Sequence, residues 1–376
     1  MPWTVDDHRA SAQEALDRKV ISGKLSDMAN VPEPQQSSEH QARVSALSVL
    51  NRAAGSDAVI AVAWSPWAYQ DTVEPPPVEP PVEPPPPPPP SDGWGDGKTF
   101  GNRTTQSSQI VISGQNNVVI DNLFFEEGKF IWQNGRSHNA HVPIRVINSQ
   151  NVIIKNCDFR NVSQVVSVEG NSSDITVEYT RTDGIVGPGS RVDEQTGNFL
   201  QTVSSSIRRV VVSNNKILVT TGLDPWGGTQ ETMTEDVISF FAASDCTAEF
   251  NQIDATGYVR DYGTGIIAGD ATGDGHTVRS NTLLNPGQVG LATAGGYGHR
   301  FFDNLIWKDA DQNPGSGNTA AYFWDYNGAG IGDGLYQNNR AKWHGGGGFW
   351  NPGGAQQINN NWNDSTLDRD LLVFTL

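Results

Sequence analysis

From residue 110 to residue 362 the chain alternates short apolar runs with polar turns on one repeating plan. An apolar strand comes first, then a polar turn, then a second strand that ends in hydrophobic-x-x-Asn-x-hydrophobic. The second strands are Val119-x-x-Asn122-x-Phe124, Ile153-x-x-Asn156, Val212-x-x-Asn215-x-Ile217 and Ala248-x-x-Asn251-x-Ile253. Val278-x-x-Asn281-x-Leu283, Phe301-x-x-Asn304-x-Ile306 and Leu335-x-x-Asn338 continue the series. The preceding strands are expected at Ile110–Ser113, Ile144–Ile147, Phe199–Val203, Val237–Phe240, Gly265–Ala268, Val289–Ala292 and Ala321–Trp324. Weaker copies over Val165–Tyr179 and Gly347–Trp362 bring the count to nine, starting 21 to 38 residues apart.

Repeats of this length, made of strands and no helices, predict an all-β solenoid. One coil cannot bury its inner face alone, so the coils must stack. At ~4.8 Å per coil, nine would build a rod roughly 40 Å long. Asparagine suits a fixed place in each coil for two reasons: it tolerates a left-handed turn, and stacked amides can hydrogen-bond from coil to coil. The spacing varies mainly between one Asn strand and the next unit's first strand. Insertions are therefore expected on one side of the rod.

The N-terminal part is different. Asp6 to Leu25 is rich in helix formers, and Ser38 to Ala53 carries Val44, Leu47 and Leu50 at helical spacing. Ala58 to Trp64 reads as a strand. So few large apolar side chains make a poor independent core. A proline run follows and favours extended polyproline II, which neither a helix nor an inner strand accepts. The expected division is an N-terminal adaptor over 1–72, a Pro-rich linker over 73–91 and the solenoid over 92–376.

Composition agrees with many strands and turns: 40 of 376 residues are glycine and only 18% are charged. A net charge of −17 argues against a basic groove for nucleic acid. The run Ala58 to Trp64 is too short to span a bilayer, and no basic-then-apolar leader is visible, so the expectation is a chain neither inserted in a membrane nor exported by the usual route. Two cysteines, Cys157 and Cys246, form no metal-binding motif. No metal or other cofactor is expected.

Two residue sets carry candidate chemistry. Carboxylates gather in and near the insertions: Asp224, Glu231, Glu235, Asp236, Asp254, Asp261 and Asp270. Asp236 and Asp261 fall on successive coils and are the candidate catalytic pair, since glycoside hydrolysis uses two carboxyls ~5–9 Å apart. A solvated acidic rim is the alternative. Trp132, Trp226, Tyr258, Trp307 and Trp343 are read as insertion residues whose flat faces would stack on sugar rings. Packing over the coils, or between chains, is the other reading. Asp270 to Gly275 has a superficial calcium-loop pattern, but Thr272 replaces an acid and no Glu closes it, so a turn is expected.

The strand–turn–Asn repeats from Ile110 to Trp362 resemble the right-handed parallel β-helix superfamily of pectate-lyase-like proteins. The resemblance implies the fold and its handedness, about nine coils, and says little of activity. The superfamily's Asn-Thr-Asp, Asp-Asp and Arg-Ile-Lys set is absent, as is Arg-x-Pro-x-x-Arg, so no catalytic residue carries over. The whole plan resembles spikes and tailspikes of bacteriophages and phage-like particles. That likeness implies a homotrimer on a virion or phage-like particle, docked through residues 1–72 to a particle protein, with the β-helix meeting bacterial surface polysaccharide. Two alternatives stand beside it: a polysaccharide depolymerase, hydrolase or lyase, on the same scaffold, and a structural stalk without ligand.

Overall fold

The computed structural model describes residues 98–125, 142–185, 197–219, 236–256, 263–309, 319–326, 328–344 and 347–376. The adaptor, the proline run and the expected elements within them lie outside the described residues. The rest is a parallel β-helix solenoid of three nine-stranded sheets in which every pairing is parallel. Sheet I contains Ile110–Ser113, Ile144–Ile147, Gln164–Glu169, Asn198–Val203, Asp236–Phe241, Thr264–Asp270, Val289–Thr293, Thr319–Phe323 and Gly347–Trp350. These begin coils one to nine and agree with the nine expected units. Each is followed by a strand of sheet II, such as Arg208–Ser213 in coil four or Thr277–Arg279 in coil six. A strand of sheet III closes coils one to eight, such as Lys216–Leu218 or Thr282–Leu284, and the ninth strand of that sheet, Thr104–Gln106, precedes coil one. The undescribed stretches at 126–141, 186–196, 220–235, 257–262, 310–318 and 345–346 all connect a sheet III strand to the next sheet I strand. The undescribed insertions thus fall at one corner, as the spacing predicts, while the corner between sheets I and II also lengthens, from two residues after Ser113 to eleven after Phe323, and there Gly296–Tyr297 pairs with Ile331–Gly332.

In-register stacking explains the core. Ile112, Val146, Val168, Thr202, Phe240 and Ala268 occupy one register position in successive coils, and each is buried. Aromatic rings stack likewise: Phe125 on Phe159 at 4.6 Å, and Phe301 on Tyr336 at 4.2 Å between ring centres. At the N-terminal end Asp158, fully buried, receives Arg181 through Nε and Nη2 at 2.7 and 2.9 Å and Arg103 at 2.8 Å. Its Oδ2 also accepts the Gly101 N–H at 2.7 Å. This cluster fastens the segment leading into coil one to the side of the solenoid.

The turn between sheets II and III divides the two roles of asparagine between adjacent positions. The first position is left-handed in all nine coils: Asn122, Asn156, Tyr179, Asn214, Phe250, Ser280, Asp303, Asn338 and Asn359 have φ between 48° and 61°. The second turns inward. There Asn215, Asn251, Asn281, Asn304, Asn339 and Asn360 form a continuous amide ladder, each Oδ1 accepting the Nδ2–H of the preceding asparagine at 2.8–3.0 Å. Each Oδ1 also accepts that residue's backbone N–H, and each Nδ2 donates to a carbonyl of the preceding coil, such as Asn281 to Ala248 at 2.9 Å. The sequence motif therefore merged two registers. Asn122, Asn156 and Asn338 hold the left-handed position, whereas Asn215, Asn251, Asn281 and Asn304 hold the ladder position. Val119 corresponds by strand pairing to Val211, not to Val212. In coil eight the ladder residue is Asn339.

Coils five to seven carry a second buried stack, Phe240 on His276 at 5.3 Å and His276 on His299 at 5.1 Å. His276 Nδ1 accepts the Cys246 N–H at 3.1 Å, and His299 Nε2 lies 3.0 Å from the Gly295 carbonyl. Burial first, and His299 second, holds His276 well below its ordinary 6.5; burial brings His299 down to about 4. Cys157 and Cys246 are free, and burial pushes both thiols up to about 12.

Two predictions follow from these stacks. Asn281→Ala strips partners from Asn251, Asn304 and the Ala248 carbonyl and should cost about 3 kcal/mol. Asn338→Gly, at a position glycine adopts freely, should stay within about 0.5 kcal/mol; urea unfolding separates the two. Both histidines have folded pKa values depressed below the unfolded value. Stability is therefore fully present above pH 6.5 and is lost as pH falls through the window from 6.5 to about 4. His299 alone should remove about 3 kcal/mol over that window, and His299→Gln should flatten the loss in melts taken across it.

Candidate functional site

Outward-facing side chains are free of the packing that fixes the core, so a site appears where their character changes along the rod. On the outer face of sheet I one register row reads Val111, Arg145, Ser167, Gln201, Ser239, Ile267, Ala292, Tyr322, Trp350 from coil one to coil nine. Over coils five to seven the row is small or aliphatic, Ser239, Ile267 and Ala292, and at coil eight it gives way to large aromatic side chains. That step in height makes a groove of about 580 Å³, within the ~300–1,000 Å³ usual for ligand clefts. Its floor includes Ile267, Val289 and Ala294. The wall is aromatic: Trp324 lies 4.8 Å from Trp350 and 4.9 Å from Tyr326, and Tyr322 stands edge-on to both tryptophans at 6.4 Å. Tyr326 is 63% exposed and Trp350 47%, so ring surface faces solvent.

Two carboxylates line the same groove, Asp236 and Asp270. Asp236 sits at the start of its strand in a row with Gln164, Asn198, Thr264, Val289 and Thr319. Its Oδ1 accepts the Thr264 N–H at 3.0 Å, and its backbone carbonyl accepts the Asn198 amide at 2.6 Å. Thr264 pairs with Asp236, and Asp270 pairs with Phe241 at the far end of the same two strands. The carboxylates are thus five strand residues apart, roughly 16 Å at ~3.3 Å per residue. That exceeds the ~9.5 Å upper limit for an acid and base serving one glycosidic bond. Burial raises the Tyr322 phenol above its ordinary value, and Asp236 and Asp270 raise it further.

Of the expected site residues, Asp236 lies in this groove. Asp261, Trp132, Trp226 and Tyr258 lie outside the described residues, as do Asp224, Glu231 and Glu235. Trp307 and Trp343 are not in insertions: they belong to the sheet III strands Leu305–Lys308 and Arg340–Trp343. Strand pairing sets Trp307 opposite Lys342 and Lys308 opposite Trp343. Lys342 lies 4.4 Å over the Trp307 ring and Lys308 4.9 Å over the Trp343 ring. Trp343 packs into the core, and Leu367 and Leu372 of the C-terminal segment pack with Trp307. Arg369 to Asp309 at 2.9 Å, and Trp307 Nε1 to Asp309 at 2.7 Å, tie that segment down. At 9% and 7% exposure, the two rings have little face left for a ligand. Asp254 accepts the Thr256 N–H and closes a turn, and Ala271 to His276 is the turn between two strands, as expected.

The groove aromatics belong to no part of the hydrophobic-x-x-Asn-x-hydrophobic motif. Their signal was present in Tyr322-x-Trp324-x-Tyr326, whose spacing of two puts alternate side chains on one side of an extended chain. Among the described residues no helix is long and apolar enough to cross a membrane, and no group of three or more potential metal ligands occurs. No protein-family model matches the chain, and no curated protein matches it. The assignment of the two kinds of tryptophan can be checked by substitution. Trp307→Ala should cost about 3–5 kcal/mol in thermal or urea unfolding, whereas Trp350→Ala should change stability by no more than about 1 kcal/mol.

Proposed function

We propose that this chain is a spike of a virion or phage-like particle whose β-helix adsorbs to bacterial surface polysaccharide through the sheet I groove. The observation that carries the reading is the aromatic wall of Tyr322, Trp324, Tyr326 and Trp350, with two of its rings open to solvent. Aromatic faces supply large, rigid contact area for the apolar face of a sugar ring at little entropic cost. Asp236, Gln288, Thr264 and Thr319 add polar groups that hydroxyls can meet. Residues 1–72, with few large apolar side chains, suit docking on a particle, and the proline run suits a spacer.

Assembly as a homotrimer is part of the same proposal. Val203 and Phe241, partners in register on sheet I, are 43% and 38% exposed, and Leu371 on the C-terminal segment is 77% exposed. Apolar groups left on the outside of a solenoid are suited to contact with further copies.

Depolymerisation is the second reading, favoured by the place of Asp236 in the groove. It requires Asp261 or another group to approach Asp236, because Asp270 is too distant.

Full-length protein should be incubated with a panel of bacterial surface polysaccharides, with both retention and new chain ends measured. Retention is the expected result, and it should fall at least tenfold in Trp350→Ala, about 1.4 kcal/mol. New chain ends that vanish in Asp236→Asn would establish cutting. Retention unaffected by Trp350→Ala together with Tyr326→Ala would remove the groove from the function, and a monomer in sedimentation would remove the trimer.

A further inference from the structure

We propose that the corner between sheets I and II holds a second saccharide site over coils six to nine, which takes a sugar carrying a carboxylate or phosphate group. This site goes beyond the sheet I groove, with which it shares no lining residue. It arises from a change at the left-handed position two residues before the sheet II pairing of those coils. In coils one to five that position holds Asn117, Asn151, Asp174, Arg209 and Asp245, with φ between 52° and 58°. Their side chains bond along the row, Asn151 to Asn117 at 2.7 Å and Arg209 to Asp174 at 2.6 and 2.8 Å. In coils six, seven and nine the same position is Gly275, Gly298 and Gly354, and in coil eight it is Asp333. A Cβ on Gly354 would meet nothing within 4 Å, and one on Gly298 nothing closer than 3.9 Å. The missing side chains leave a cleft of about 660 Å³.

The lining sets its chemistry. Nine of the ten described arginines pair with a carboxylate. Arg300 is the tenth, and it lines the cleft. Its Nη1 donates to the His299 carbonyl at 3.2 Å and to the Asp333 carbonyl, which holds the guanidinium in place. Its Nε and Nη2 have no hydrogen-bond partner among the described residues. Such a fork matches a carboxylate or a phosphate through two parallel bonds. Tyr297 stands in the same cleft, 49% exposed, with its ring resting on Gly330 and Gly332. Asp274, Asp333 and Gln356 add polar groups, and Asp274 Oδ1 accepts the Tyr297 N–H at 2.8 Å. Both aspartates are exposed, so water and salt screen their repulsion of an incoming anion. Two charge-assisted bonds at the fork are short-range and directional, and the aspartates and Gln356 are suited to sugar hydroxyls. A bare anion would gain the fork alone. A neutral sugar would gain the Tyr297 ring and the hydroxyl contacts but leave the fork to water. A sugar with an anionic substituent meets all three.

The test is calorimetric titration of the full-length chain with galacturonate trimer, glucose 6-phosphate, galactose trimer, glucose and inorganic phosphate. At least one anionic sugar should bind about tenfold or more tighter than its neutral counterpart and than inorganic phosphate; which pair shows the preference separates carboxylate from phosphate. The preference should vanish in Arg300→Gln. Gly298→Asn restores the side chain found in coils one and two, in a conformation asparagine accepts, and keeps Arg300. It should weaken binding about tenfold and guards against a folding defect in the arginine variant. Absence of any preference, or a preference that survives Arg300→Gln, would overturn the proposal. Inorganic phosphate binding as tightly as either sugar would make the cleft a plain anion site and overturn it too. An altered sedimentation of Arg300→Gln would make this arginine a contact between copies, with the same consequence. Polysaccharide retention that is lost in Trp350→Ala while these titrations stay silent would remove the cleft and leave the sheet I groove standing.

Discussion

The turn that enters sheet III must bury an irregular stretch of backbone, and buried peptide groups without partners are costly. A helix or a flat sheet would pair them internally. At this solenoid corner the flanking positions still pair from coil to coil, such as the Asn214 N–H with the Glu249 carbonyl at 3.1 Å, but the N–H between them, as in Asn215, is met by a side-chain amide. From coil four onward the solution is the run of inward asparagines, Asn215 to Asn360, whose amides satisfy one another and the neighbouring backbone. Each amide links two coils, so the register of one coil fixes that of the next. In-register stacks such as Thr202 to Ala268, and the Phe301–Tyr336 ring stack, presuppose that alignment. In coils two and three Cys157 and Thr180 take the same place and bond to local carbonyls instead, and the Arg103–Asp158–Arg181 cluster supplies cross-links on that flank.

This explains what could be read in the chain beforehand. Number of coils, sheet I strands and the corner carrying the insertions were all legible, because stacking forces the same residue type to recur at the same place. Asparagine was legible for the same reason, but its register was not. Asn214 and Asn215 are adjacent, as are Asn338 and Asn339 and Asn359 and Asn360. In such pairs one residue supplies the left-handed turn and the other the ladder, and a letter pattern cannot say which.

The groove was far less legible. A core position is constrained by its neighbours in two coils and repeats, whereas an outward position is constrained by neither and need not. Trp307 and Trp343 looked like insertion residues because each lies at or next to the end of a short strand beside a stretch of variable length. Their burial depends on contacts no local pattern contains. Lys342 and Lys308 come from the opposite strand of the pair, and Leu367 and Leu372 come from the end of the chain. Tyr322, Trp324, Tyr326 and Trp350 carry no motif and become one wall only because coil nine lies on coil eight.

The placement of the groove also bears on the size of its ligand. Asp236 and Asp270 belong to coils five and six, whereas the aromatic rings belong to coils eight and nine. At ~4.8 Å per coil, the Tyr322 coil is two steps from Asp270 and three from Asp236, roughly 10 and 14 Å, more than a single hexose ring covers. A ligand that meets both the carboxylates and the rings must therefore be a chain of several units lying along the rod axis. A solenoid offers such a ligand a surface with its own repeat in that direction. The step from Ala292 to Tyr322 is the change in height that bounds this surface, and the floor over Ile267 is shallower. A change of two or three outward side chains can therefore reshape this surface without touching the asparagine ladder beneath.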